Sequence, residues 1–262
     1  MRKALLSLCL VCLLTGSLFG CSTKENQKAT NTKEAKPVEL YLVRHGKTML
    51  NSTDRVQGWA DSPLTKEGIE VAELLGKGLK DVQFAKAYSS DSGRAIETAQ
   101  IVLNNSGQKN VELIQRKNLR EVNFGEFEGE LNQNFHKELA KANNMTMDEF
   151  MENFDVGIML DTAAKIDRSK QAESAEQVSV RMKKEVDKIV EEVAKNGGGD
   201  ILVVSHGLSL MGLLYTISPD ALNELEAGLS NASVSKVLYK DGKYTVESVN
   251  DMSYVEKGKK VN

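Results

Sequence analysis

Cysteine is nearly missing from this chain. Its three copies, Cys9, Cys12 and Cys21, all precede residue 22 of 262. No disulfide framework can therefore staple the rest, and a chain of this length does not need one to bury a core. A basic excess is missing too. Lys and Arg number 34 against 37 Asp and Glu, a formal net charge of −3, so no basic excess is left over to neutralise phosphates, which argues against nucleic acid as a partner. Histidine is scarce, with only His45, His136 and His206. Tryptophan occurs once, at Trp59, and no segment repeats another.

The N-terminus is of different material. Arg2 and Lys3 precede an apolar run from Ala4 to Phe19, which is the pattern of an export signal and short for a spanning helix. The run closes on Leu18-Phe19-Gly20-Cys21. This resembles the lipobox of bacterial lipoproteins, apart from a bulky Phe19, and it implies cleavage after residue 20 with lipid on Cys21. An uncleaved anchor helix is the alternative. Either way the body is expected outside the cytoplasm, held to the bacterial cell membrane. Residues 22–37 hold no aromatic residue and no aliphatic side chain larger than alanine. They cannot offset the entropy of ordering and are expected to form a disordered tether.

Strand-like and helix-like segments then alternate. VELYLV (38–43), AKAYSS (85–90), VELIQ (111–115) and DILVVS (200–205) read as strands. Residues 62–79, 92–107, 174–199 and 208–217 read as helices, with Ser92 and Ser174 as caps and Gln177 at capping-box spacing. Residues 233–250 read as a hairpin turning on Asp241-Gly242. The alternation predicts a three-layer α/β/α domain over 38–250 with a central, mainly parallel sheet. Residues 251–262 are left as a C-terminal tail. A polar stretch at about 130–172, with scattered Met and Phe, reads as a helical insert or lid, more for packing than for lining a pocket.

In a parallel sheet, ligands gather beyond the carboxyl ends of the strands. Two strands here end alike, in Arg44-His45-Gly46 and in Ser205-His206-Gly207. Each glycine lets the backbone turn and a ligand come close. Neither histidine has a His, Cys or carboxylate neighbour at metal-ligand spacing. The strand at 85–90 leads to Arg94 at a helix start, where a cation opposes the helix dipole unless an anion is bound. Donors from Arg44, His45, Arg94 and His206, with no carboxylate among them, suit a phosphoryl group.

RHGKTMLN, SSDSGRAIETA, LREVNFGEFEG, AESAEQVSVRM and VVSHG resemble, in order, the motifs of the histidine phosphatase superfamily, the phosphoglycerate-mutase-like enzymes, and especially its phosphatase branch. The resemblance implies phosphoryl transfer through a phosphohistidine. It makes His45 the nucleophile, Arg44 and Arg94 phosphate clamps, His206 a further catalytic phosphate ligand and Glu121 the general acid. Asn51 matches a phosphate-contacting asparagine, though it could equally cap the loop after the first strand. Glu121 could alternatively pair with Arg116 or Arg120. Lys47 and Ala172 depart from the family pattern, and Lys47 would place an extra cation near the entrance. His136 is expected as an exposed helical residue, Glu126 and Glu128 as solvated, and Gln57-Gly58-Trp59 as a loop near substrate. The expected activity is phosphomonoester hydrolysis without metal or cofactor, on a small phosphate ester. Mutase-type transfer and a non-catalytic binding lipoprotein are the alternatives.

Overall fold

The computed structural model describes residues 36–225 and 227–261. The expected signal peptide, the lipidation position Cys21 and the tether up to residue 35 lie outside the described residues. Six strands are seen: β1 (Val38–Arg44), β2 (Phe84–Ser89), β3 (Leu113–Gln115), β4 (Gly199–Ser205), β5 (Val234–Lys240) and β6 (Lys243–Asp251). The helices are α1 (Met49–Ser52), α2 (Lys66–Gly78), α3 (Gly93–Asn105), α4 (Asn132–Ala142), α5 (Met147–Glu152), α6 (Val156–Ile166), α7 (Ala175–Lys195), α8 (Gly207–Ile217) and α9 (Ser253–Lys259).

The strands form one sheet in the order β3-β2-β4-β1-β5-β6. β1 to β4 run parallel, while β5 is antiparallel to β1 and β6 to β5. The hairpin makes the sheet mixed, because Asp241 and Gly242 both take positive φ and so close a tight two-residue turn.

Alternation along the strands sorts the core into two layers. Leu40, Leu42, Ile201 and Val203 face α7 and α8 through Val186, Ile189, Leu210 and Leu213. Tyr41, Val43, Leu202 and Val204 face the other way, onto Leu75, Ala99, Val102 and Val255. With both faces covered, Leu40–Val43 in β1 and Ile201–Val204 in β4 read as unbroken apolar runs rather than alternating ones. Each such side chain removed from water is worth about 1.5–3 kcal/mol.

The end of the chain is not a tail. It forms α9, packed on α2 so closely that a Cβ on Gly78 would lie 1.8 Å from the Tyr254 carbonyl oxygen. That approach explains a glycine in a helix that otherwise favours larger residues. The box at Ser174 and Gln177 caps α7 as expected, whereas Ser92 sits at the N-cap of α3 without a side-chain bond. The insert packs as anticipated, with Phe135, Leu139, Phe150 and Leu160 in the core. It also does more than pack.

Candidate active site

Parallel register brings three strand ends to one edge. Arg44 pairs with Ser205, and Ser89 with Val204, so the residues just beyond them meet. His45 is 4% exposed, and Arg94 and His206 are fully buried. The two imidazole rings lie 5.1 Å apart, and the Arg94 Nε–H donates to His45 Nε2 at 3.2 Å. His45 Nδ1 lies 2.7 Å from the Gly46 carbonyl oxygen. That contact requires the proton on Nδ1 and leaves Nε2 with its lone pair. Burial, with the charges of Arg94 and Arg44, holds the His45 pKa well below 6.5. His206 is lowered likewise, first by burial and then by Arg94. His206 Nε2 pairs with the Ser90 hydroxyl at 2.7 Å.

The glycines work differently from the expectation. A Cβ on Gly46 would lie 2.5 Å from the Gly68 carbonyl oxygen, and one on Gly207 would lie 3.4 Å from Arg44 Nε. The space beside Gly46 is filled by the first turn of α2, not reserved for a ligand.

A buried guanidinium needs partners on every side, and loop 58–61 supplies them. Arg94 donates to the carbonyls of Gly58 (2.8 Å) and Ala60 (3.0 Å) and to Asp61 Oδ1 (2.9 Å). Glu128 holds that loop in turn. Its carboxylate accepts from the N–H groups of Gly58, Trp59, Ala60 and Phe124 at 2.7–3.0 Å. Glu128 was expected to be solvated; instead it anchors the cradle of Arg94. Its place within LREVNFGEFEG was the only sequence signal. Glu126 is exposed and paired with Arg168, as a surface carboxylate should be.

Glu121 is buried and paired with neither neighbouring arginine. Arg116 binds Glu185 and Glu192, and Arg120 binds Asp91. The Glu121 carboxylate accepts from the N–H of Leu208 and Ser209 and from the Ser209 hydroxyl, at the start of α8. Arg181 fixes the Glu121 backbone from α7, bonding the carbonyls of Asn118, Arg120 and Glu121. The Trp59 indole N–H also donates to the Glu121 carbonyl, tying the Arg94 loop to the carboxylate segment.

Next to this cluster lies a cavity of ≈ 300 Å³ with Arg44, Glu121 and Gly207 in its floor; His45, Arg94 and His206 sit behind that floor and do not line it. Its walls are largely apolar and come from the insert (Phe135, Phe154, Met159) and from α8 (Leu208, Met211). The insert thus both packs and forms the pocket wall, the role that the sequence made the lesser alternative. His136 is half-buried among Phe135, Phe150 and Phe154 and lines this cavity, so it is not an exposed helical residue. Burial lowers its pKa against the pull of Asp54. Asn51 does not line the cavity. Its side chain closes a capping box with Thr48 at the start of α1, which is the structural alternative for that residue. Lys47 is exposed, acts on Glu67 in the first turn of α2 and does not line the cavity. Ala172 donates its N–H to buried Asp167.

Two buried polar atoms of this cluster have no hydrogen-bond partner among the described residues: Arg44 Nε and His206 Nδ1. Such groups are costly unless a ligand satisfies them. Arg44 Nη1 donates to the Leu229 carbonyl. Among the described residues, no three of His, Cys, Asp and Glu are grouped as metal ligands.

The model of the histidine phosphatase superfamily (branch 1) matches residues 40–252. A probable phosphoglycerate mutase of Yersinia pestis is 30% identical over 84% of this chain and 95% of its own. A phosphoglycerate mutase from Bacillus anthracis has a crystal structure that is 52% identical, with a TM-score of 0.82, over 86% of this chain and 98% of that one. Bacillus stearothermophilus YhfR is 30% identical with a TM-score of 0.67, over 83% and 99%. The chain belongs to the histidine phosphatase superfamily, whose enzymes transfer phosphoryl groups through a histidine.

Proposed function

We propose that the chain is a phosphomonoester hydrolase that works through a phosphohistidine on His45. The observation that carries this is the nucleophile itself: a buried neutral imidazole, tethered through Nδ1, with its free nitrogen against Arg94. An incoming phosphate takes over the Nε–H of Arg94 and the unpartnered Arg44 Nε and His206 Nδ1. His45 Nε2 then attacks phosphorus, and the ester oxygen departs with a proton from the carboxylic acid of Glu121. In the second half a water attacks, Glu121 takes its proton, and inorganic phosphate leaves with His45 neutral again. Splitting the reaction lets an uncharged nucleophile meet a dianion. The guanidiniums and His206 supply the donors that the transferring oxygens need, so no metal is invoked.

Phosphoenzyme trapping tests this. A labelled aryl phosphate should leave an acid-labile, alkali-stable label on the wild type and none on His45→Ala, with turnover unaffected by a chelator. No label, or turnover restored to a chelated enzyme only by zinc, would refute it.

A mutase is the second reading. The names of the Bacillus anthracis and Yersinia relatives favour it, as does Arg55, a further cation lining the cavity where a carboxylate could bind. Against it stand the apolar walls, which suit a leaving group with hydrophobic surface better than a small polyanion. Phosphoryl shift within 3-phosphoglycerate outpacing its hydrolysis would reverse the order. We also propose export and lipid attachment at Cys21. Palmitate labelling should disappear in Cys21→Ser.

A further inference from the structure

A second concavity, of ≈ 900 Å³, opens between α6, α7 and α8. Phe154, Val156, Leu208 and Met211 line both it and the active-site cavity. The sill between the two is therefore apolar, and part of it can move. Phe154 is 42% exposed, and methionine turns easily about three bonds. Beyond the sill the groove is walled by Leu160, Tyr215, Pro219, Leu222 and Leu225. Tyr215 is 58% exposed, so an aromatic ring faces water there.

Charge narrows what could cover it. Among the described residues, the only charged ones lining the groove are Asp155 and Glu176. The Asp155 carboxylate caps α6 by accepting from the Ile158 N–H. A second phosphate or a carboxylate reaching this far meets two acidic residues and no cation. A hydrocarbon chain meets aliphatic and aromatic walls and leaves water.

Resting on the hydrolase reading for where the phosphoryl end docks, we propose that the substrate is an amphiphilic phosphomonoester. Its phosphate sits at His45, and its uncharged alkyl chain crosses Met211 and Phe154 into the groove. The cavity reads the headgroup side of the ester, and the groove reads the length of the chain.

Monoalkyl phosphates from two to ten carbons, each held below its micellar concentration, test this. Wild-type kcat/KM should rise with chain length once the chain passes the sill, by about two- to fourfold per methylene as each CH₂ is partly or fully buried. Tyr215→Asp, outside the catalytic cavity, should flatten that rise and leave turnover of a short aryl phosphate unchanged. Tyr215→Phe should retain it. A flat chain-length profile with full aryl phosphate turnover overturns the groove and spares the hydrolase reading. Calorimetric binding of the same series to His45→Ala gives a readout that needs no hydrolysis. Affinity that climbs with length there supports the groove even if wild-type hydrolysis fails, and flat affinity overturns it.

Discussion

The floor of the active site and the insert above it are built on opposite plans. The floor is polar and buried: His45, Arg94 and His206 are held by backbone carbonyls, by Ser90 and by the loop that Glu128 anchors, with Arg44 Nε and His206 Nδ1 left without a partner among the described residues. The insert, polar outside, turns apolar side chains toward the cavity, is made of short helices, and leaves Phe154, Met151 and Ile158 exposed. Parallel register sets the floor, so its atoms are positioned by the buried central sheet. Side chains on α4 and α6 set the wall, so it can vary without disturbing the chemistry. On the proposed function, the difference says where to look for each property: rate in the floor, leaving-group choice in the wall.

The largest test of that division is Arg94→Gln. It removes a clamp and leaves Asp61 without its cation, and kcat should fall by about 10²–10³. Lysine should not rescue it, because one ammonium cannot reach Gly58, Ala60, Asp61 and His45 together. Steady-state kinetics on an aryl phosphate measures both. If Arg94→Lys kept full activity, the floor would be far more tolerant than its bonding indicates.

Glu128→Gln comes next. The residue acts through loop 58–61 and touches no cavity-lining reacting atom, so kcat should drop by about tenfold while KM changes less, the signature of lost transition-state positioning. Circular dichroism should show a folded protein. An equal change in KM alone would mean that Glu128 shapes substrate entry instead.

In the wall, Phe154→Ala should reorder substrates more than it slows them. Turnover of a short aryl phosphate should change by under about threefold, whereas an ester with a bulky apolar leaving group should lose about tenfold or more in kcat/KM. A uniform loss across substrates would erase the distinction between wall and floor.

The smallest effect concerns pH. In the proposed mechanism His45 attacks as the neutral imidazole, and its pKa lies well below 6.5 through burial and the two guanidiniums. Its active form therefore persists as pH falls through 6.5 and is lost only when pH reaches the lowered value. The acid limb of kcat/KM that belongs to His45 should lie below pH 6.5. Weakening the cation field with Arg44→Gln should move it upward. A limb at or above 6.5 in the wild type would mean that the imidazole is not desolvated as the structure has it.

Much of the floor was legible before any coordinates. Arg44, His45 and His206 follow apolar runs that could only be buried strands, and Arg94 follows another at a helix start. Parallel strands then carry such residues to one edge. The cap at Ser174 and the turn at Asp241-Gly242 were equally local and equally readable. Less local features were not. Glu128 looked solvated because its four donors come from residues 58–60 and 124, and nothing in its own surroundings points to that loop. His136 looked exposed because α4 is polar over most of its surface, and only α5 and the segment before α6 enclose the ring. The last helix was missed because α9 is short and buries little more than Val255 and Gly258. Its docking depends on a close approach to α2 that periodicity does not show.

The order of apolar runs, the residues that end them and the motifs around them determined the family, the sheet and the identity of the groups around the phosphoryl site. These are properties of short segments, set by local propensity and side-chain chemistry. The closed cradle around Arg94, the apolar wall and the second groove were decided only in three dimensions, because each joins residues tens of positions apart whose meeting depends on how helices pack.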